Sequence, residues 1–315
     1  MSTTQKKQHY VWRYHLESWA TDGVVYWYSV KQKKGSRGSP RSLAYGKYFY
    51  KTERLTDVDK RYMEVFINTL PRKDLRDALL RQLQLFQAPH TLQDFLQGSE
   101  IQTPARFTTL IKEKTEIFVK TIGEQWHEGI EARAIPLLNM LRNKDATFWA
   151  DQEQCRLFLY FLCHQLFRTP KMKHVYEQVQ DSVYIDGLDM RRLWVIESLM
   201  FATILGANLF VEREQYKLSF INSASDTSFI TSDQPVINLK SHGDRDVSLY
   251  FPLSPTLAMK LSKAEVAGSE SSTMARQLAT EYYNHAIYRD CYDQIYGNNA
   301  GYLAQIAKLP RELDT

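Results

Sequence analysis

The chain is poor in cysteine, has no lopsided overall charge and carries no long apolar run. Three cysteines, Cys155, Cys163 and Cys291, occur in 315 residues. The number is odd and no C-x-x-C spacing occurs, which argues against a disulfide framework or a zinc ribbon. Two of the three lie in an apolar helical stretch. All three read as buried, reduced thiols in a reducing compartment. The richest apolar stretch, Leu157 to Phe167, is interrupted by His164 and Gln165. It is too short for a bilayer and reads as a core helix. The opening Met-Ser-Thr-Thr-Gln-Lys-Lys-Gln-His is polar and lacks the apolar segment of a secretory signal. A cytoplasmic protein with no membrane partner is expected, and a homo-oligomer is compatible with everything in the sequence.

Several chemical signatures are also missing. There is no glycine-rich phosphate loop, no G-x-S-x-G and no H-E-x-x-H. This argues against nucleoside triphosphatases, common serine hydrolases and zincins. Cys163 and His164 are adjacent on a helical segment and point in different directions, so they form no dyad. The net charge is +4, from 40 basic and 36 acidic residues. Such a balance permits a phosphate-bearing partner without demanding one.

What the chain has is apolar and aromatic mass. Hydrophobic residues make up 43% of it and aromatics 13%, including 19 Tyr and 15 Phe. That suffices for a packed core without staples. Residues 1–52 read as strands with a basic loop. His9 to Tyr14 alternates aromatic and polar side chains, and Val24 to Val30 is rich in β-branched and aromatic residues after the turn signal Asp22-Gly23. Lys31 to Arg41 reads as a Gly/Ser-bearing basic loop, and Tyr45 to Tyr50 as a further short strand. Residues 53–212 are helical by periodicity: Met63, Phe66, Ile67 and Leu70 form one stripe, Leu75, Leu79, Leu80 and Leu83 a second, and Phe107, Leu110, Ile111, Lys114 and Phe118 continue the pattern in a third helix. Thr103-Pro104 is a helix start, and Pro170 should kink or end the helix that contains it. Residues 213–315 return to short strands, Lys217–Asn222, Ser228–Ser232, Val236–Leu239, Val247–Phe251 and Leu257–Leu261, with a last helix over Ser272 to Tyr288. The expected architecture is α+β. A helix-rich middle packs against a mostly antiparallel sheet formed by N-terminal and C-terminal strands, all in one domain spanning 1–315.

Four segments could carry chemistry. In an extended Gln8-His9-Tyr10-Val11-Trp12-Arg13-Tyr14-His15, His9 and Arg13 share a face and could present a base and a fixed cation to one pocket. The structural alternative is an Arg13 ion pair and a His9 near a frayed end. In Phe229-Ile230-Thr231-Ser232-Asp233-Gln234-Pro235-Val236, Asp233 is a rigidly placed carboxylate at a strand end. It could bind a metal, orient a histidine or act as a base, or it could serve only its own turn. Arg168-Thr169-Pro170 ends an apolar helix, so Arg168 needs a carboxylate or a bound anion. Glu124-x-x-His127 has the spacing of a bundle metal ligand pair, but no second copy exists, and a solvated face is the simpler reading.

The order of these motifs, with Phe251-Pro252-Leu253-Ser254-Pro255 after them, resembles the bacterial family catalogued as domain of unknown function 4238, over about residues 6 to 298. Trp12 stands where the family usually has Pro, and Gln234 where it usually has Asn. The resemblance implies the fold and the site map and leaves the activity open. It gives weight to polar motifs in loops and strand ends.

The functional expectation is a phosphodiester-cleaving, RNase-like effector in bacterial antiviral defence or a toxin-like context. His9 would move a proton, and Arg13 and Arg168 would stabilise charge on phosphate. Asp233 would orient His9 or hold a divalent cation such as Mg²⁺ or Mn²⁺. Lys31, Lys33, Lys34, Arg37 and Arg41 would track a nucleic-acid backbone. The alternatives are a non-catalytic module that binds nucleic acid, another anionic ligand or a partner, and a structural subunit of a bacterial complex.

Overall fold

The computed structural model describes residues 6–98, 104–240, 243–244, 246–263 and 273–311. Within them the chain runs β1 (Lys7–His9), α1 (Arg13–Leu16), β2 (Val25–Ser29), β3 (Lys34–Gly38) and β4 (Tyr45–Lys47). Then come α2 (Asp57–Asn68), α3 (Lys73–Gly98), α4 (Ala105–Arg142), α5 (Gln152–Phe167), α6 (Pro170–Gln180) and α7 (Met190–Val211). The last part holds β5 (Tyr216–Asn222), β6 (Thr231–Ser232), β7 (Ile237–Asn238), β8 (Ser248–Ser254), β9 (Leu257–Lys263), α8 (Thr273–Asp290), β10 (Gln294–Gly297) and α9 (Ala300–Ile306).

The strands form a β1–β4 pair and two four-stranded sheets, β3-β2-β10-β6 and β5-β9-β8-β7, in which every pairing is antiparallel. The first of the larger sheets joins the two ends of the chain: β10 lies between β2 and β6, with Gln294 opposite Ser29 and Ile295 opposite Ser232. The fold is therefore α+β, with N-terminal and C-terminal strands in one sheet beside a helical middle.

Local sequence explains many boundaries. Asp22 and Gly23 both have positive φ, and Thr21 and Val24 exchange backbone hydrogen bonds across them. This is the tight turn an Asp-Gly pair is suited to, and it launches β2. Thr56 caps α2 in a reciprocal box with Asp59. Thr169 caps α6 and Pro170 occupies its first turn, so α5 stops at Phe167 and a new helix begins. The helix-start reading at Thr103 and the first residue of the helix placed at Ser272 lie outside the described residues.

Helix α7 is the centre of the packing. By length and composition it could cross a membrane. Here Leu209 and Ala202 pack in one cluster with Phe158, Leu162 and the sheet residues Phe251 and Met259. Leu193, Ile196 and Met200 pack in another with Met63, Leu79 and Phe86. All three cysteines are buried and free.

Several expectations are corrected. The strand read over His9 to Tyr14 ends at His9, and Arg13–Leu16 is a helical turn. Burial of Val11, Leu16 and Trp19 against Val25 and Tyr296 pulls this stretch out of extension, so packing overrides the alternating pattern. The basic loop over Lys31 to Arg41 contains an edge strand, β3, because β2 needs a hydrogen-bonding partner on that side. In the stripe assigned to Phe107, Leu110, Ile111 and Phe118, Phe107 and Leu110 are exposed, as are Leu92 and Phe95 of the adjacent α3. Residues 291–297, assigned to no element, supply the strand that ties the sheet together.

Candidate functional site

Helix α4 approaches the segment around Tyr50 so closely that a Cβ on Gly123 would lie 2.6 Å from the Tyr50 Cβ and 2.7 Å from its carbonyl oxygen. Only glycine allows that approach. It sets the next residues of α4 against Tyr50. Glu124, His127 and Glu131, at i, i+3 and i+7, share one buried face. The solvated face expected for Glu124 and His127 is in fact interior.

Arg168, with 1% of its surface exposed, fills the space they enclose. Its guanidinium donates to Glu131 Oε1, to the His9 carbonyl and, from Nε at 3.0 Å, to the Tyr50 hydroxyl. The Tyr50 hydroxyl donates in turn to the Arg168 carbonyl at 2.8 Å. Glu124 Oε1 accepts the His9 backbone N–H at 3.1 Å. Gln8 is equally buried, and its Oε1 accepts the Tyr50 N–H at 2.7 Å while its amide donates to the Lys120 carbonyl. The backbone of His9 is thus gripped from both sides by buried groups. A buried arginine needs a carboxylate, and Glu131 supplies it.

Burial dominates the proton chemistry of this cluster. It pushes the Glu124 and Glu131 carboxyls up to about 7, against the pull of the Arg168 guanidinium. One guanidinium faces two carboxyls, so the cluster is neutral when one of them keeps its proton. Burial also drives His164 down to about 3 and His127 well below its usual value, with the Arg168 charge adding to both. Both ring nitrogens of His127, Nε2 of His164 and Oε2 of Glu124 are buried without a protein partner.

The Ser232-Asp233-Gln234 motif is equally occupied. Asp233 Oδ1 accepts the Tyr292 N–H at 2.8 Å, and Oδ2 accepts those of Asp293 and Gln294 at 2.7 and 2.9 Å. Burial raises its pKa to about 6, and the three N–H groups hold it back from rising further. Ser232 bonds the Gln234 backbone, and Gln234 spans to the Leu166 and Val236 carbonyls while accepting from Thr169. The motifs around His9, Arg168 and Asp233 do meet in space, through main-chain and buried side-chain hydrogen bonds.

The His9 side chain points the other way, into a surface cleft of about 590 Å³ lined by Lys7, His9, Ser39, Arg41 and Ser42. His9 Nε2 lies 3.3 Å from the Arg41 carbonyl oxygen, so a proton on Nε2 is donated there and the lone pair sits on Nδ1. Partial burial lowers the His9 pKa, and the positive charges of Arg168, Arg13 and Lys7 add to this, against the Arg41 bond. The imidazole is therefore neutral at physiological pH. Lys7 sits over the Tyr45 ring and directly opposite Lys47 in the β1–β4 ladder, an unfavourable like-charge pair unless an anion lies between.

Of the residues singled out from sequence, His9 and Arg41 line the cleft. Arg168 lies behind it and holds the His9 main chain. Arg13 is exposed and pairs with Glu17 at 2.9 Å. Asp233 has both oxygens engaged by backbone N–H groups and bonds neither His9 nor Arg13. Lys31 stacks over Tyr292 at 3.1 Å, while Lys34 and Arg37 project from the edge strand β3 and Lys33 sits in the turn before it. Among the described residues no cluster of three or more His, Cys, Asp or Glu is arranged to hold a metal ion.

Lys7, Lys47, Ser39 and Ser42 escaped the sequence reading. A windowed charge count would have found the lysines. The first fifty residues carry nine Lys or Arg against two Asp or Glu, a local +7 within a chain of net +4.

No curated protein and no solved structure matches the chain. A family model does match, described as protein of unknown function (DUF4238), and it covers residues 7–301, including the β1 strand, Arg168 and the Asp233 turn. The chain therefore belongs to the DUF4238 family.

Proposed function

We propose that the protein binds a phosphodiester backbone, most simply a single RNA strand, along its basic N-terminal region, with the His9 cleft as the central contact. One observation carries this reading: Lys7 and Arg41 flank a neutral imidazole whose main chain is locked from behind by Arg168 and Glu124. The two cations provide charge for phosphate, and the Ser39 and Ser42 hydroxyls can donate to its oxygens. Lys34 adds positive charge on one face of β3, with Lys33 in the turn before it, while Arg37 leaves the opposite face of the strand. A phosphate between Lys7 and Lys47 would also relieve their repulsion.

Phosphodiester cleavage is the second reading, and the tautomer of His9 favours it. A lone pair on Nδ1 of a neutral imidazole can accept the proton of a ribose 2′-hydroxyl as its oxygen attacks the adjacent phosphorus. A 2′,3′-cyclic phosphate forms, the bond from phosphorus to the 5′-oxygen breaks, and the imidazolium returns its proton, through water, to that departing oxygen. Arg41 and Lys7 would offset the charge that builds up on the phosphoryl oxygens.

Fluorescence anisotropy with a labelled single-stranded RNA, read at several salt concentrations, tests the binding. Each cation removed from the RNA backbone should lower the slope of log affinity against log salt by about 0.7. Replacing both Lys7 and Arg41 with Ala should lower it by about 1.4 and weaken binding at least tenfold at low salt. An unchanged slope refutes the cleft as the point of attachment. Cleavage is read on the same RNA by gel: His9→Ala should abolish it while leaving the salt slope nearly intact.

A further inference from the structure

Apart from the basic cleft, α2, α6 and α7, with Phe167 at the end of α5, enclose an apolar pocket of about 320 Å³. Its walls include Tyr62, Phe167, Met172, Tyr176, Met190 and Phe201. Its volume is at the low end of the ~300–1,000 Å³ typical of small-molecule sites. One acidic group interrupts this lining. Glu197, on the same face of α7 as Met190 and Phe201, is 1% exposed, and its Oε1 is buried without a hydrogen-bond partner. The Tyr62 hydroxyl of α2 and the Tyr176 hydroxyl of α6 face the carboxyl. The Tyr176 hydroxyl is itself buried and makes no full hydrogen bond.

A buried carboxyl with one oxygen left without a partner is costly, and so is an orphaned buried hydroxyl. Neither is needed to fill a hydrophobic core: Leu or Phe would pack there without penalty. The pairing of an acid that has one orphaned oxygen with aromatic walls has a direct chemical complement. An ammonium group would bond Glu197 and lie against the faces of Tyr62, Tyr176 and Phe201, while its hydrocarbon body contacts Phe167, Met172 and Met190.

We propose that this pocket is a binding site for a small amphiphilic amine, with Glu197 as the counter-ion of its ammonium. Val175 and Val179 stand at the mouth, each more than a third exposed, so the ligand enters along α6. The site shares no lining residue with the basic cleft and is independent of the nucleic-acid reading.

The pH response follows from the carboxyl. Burial raises the Glu197 pKa to about 7, and the two tyrosines, which only partly offset this, are the titratable groups facing it. A primary ammonium keeps its proton well above that range. Affinity for an amine should therefore rise about tenfold between pH 6 and pH 8, as Glu197 ionises.

The test is calorimetry on the full chain with 2-phenylethylamine, its alcohol analogue 2-phenylethanol and 3-phenylpropionate. Amine binding that tightens with pH, weak pH-independent binding of the alcohol and no binding of the carboxylate are expected. Glu197→Gln should lose at least tenfold in amine affinity and flatten the pH profile. Val179→Trp, at an exposed position, should block the mouth without touching the acid, and it keeps the test decisive should Glu197→Gln fold poorly. Failure of the amine to bind, equal affinity for amine and alcohol, or preference for the carboxylate overturns the proposal. So does a concentration-dependent dimer in sedimentation that Val179→Trp abolishes, since a second copy would then occupy the pocket.

Discussion

Replacing Arg168 should be among the most destabilising single changes available in this protein. The guanidinium is bonded to Glu131, the Tyr50 hydroxyl and the His9 carbonyl, and each partner is itself buried or half-buried. Arg168→Met keeps much of the apolar stem and removes every one of those donors. Glu131 is then a buried carboxylate without a cation. Losing one member of such a pair costs about 3–5 kcal/mol, mostly the penalty of the charge left behind. Removing both charges is different. Arg168→Met with Glu131→Met should return to within about 1–2 kcal/mol of the wild type, because the paired charges leave together and Glu124, without the guanidinium, keeps its proton, although Tyr50 and the His9 carbonyl still lose a donor. Glu131→Met alone strands the Arg168 charge and should cost a similar amount, so the double-mutant cycle predicts a coupling of at least about 4 kcal/mol. Urea unfolding at pH 8, where Glu131 is ionised in the wild type, is the assay. At pH 5.5 the penalty of Arg168→Met should shrink, since Glu131 can take a proton instead. A single mutant within about 1 kcal/mol of wild type, or additive effects in the cycle, would refute this account of the cluster.

Asp233→Asn is nearly isosteric but puts an amide where backbone N–H groups of Tyr292, Asp293 and Gln294 now converge on carboxylate oxygens. One donor must face another, so a loss of about 2–4 kcal/mol is expected, measured as a lower urea midpoint. The same variant should leave RNA affinity nearly unchanged at temperatures where it is folded, because Asp233 faces β10 and not the cleft. His15 gives an acid-side prediction. It is buried, stacks on Phe251, bonds Thr231 at 3.0 Å, and burial lowers its pKa to about 3. The unfolded chain binds that proton from about pH 6.5 downward, so the stability His15 contributes is full above that point and is lost as pH falls towards 3. Between pH 6.5 and 5 the loss is about 2 kcal/mol, and His15→Gln should remove it from the pH dependence of the urea midpoint. A variant as acid-sensitive as the wild type would show that His15 is not held neutral.

Local chemistry was enough for the elements that depend on near neighbours. Asp22-Gly23 has the backbone freedom for its turn, the Val-Tyr-Trp-Tyr run makes β2, and Thr169-Pro170 ends one helix and caps the next. The heptad-like stripes of α2 and α3 mark their buried faces, and the alternation of short strands and turn residues after Lys217 is enough to expect an antiparallel sheet. These features are set within a few residues, so they can be read in one dimension.

The site was legible only as a set of polar motifs. Periodicity puts Glu124 and His127 on one side of α4, but whether that side meets water or Arg168 depends on Gly123 letting the helix close on Tyr50. The sequence shows that Arg168 needs an acid without naming Glu131, which lies 37 residues away on another helix. Asp233 looks like a free carboxylate at a strand end until β10, about 60 residues later, brings three N–H groups to it. His9 and Arg13 share a face only if the strand continues, and the burial of Val11, Leu16 and Trp19 ends it. Residue order alone therefore specifies the helices, the turns and the side chains too polar to be buried alone. Which of those side chains are buried together, and that His9 and Arg41 are left at the surface, follows from long-range packing, because desolvation is settled by neighbours far away in the chain.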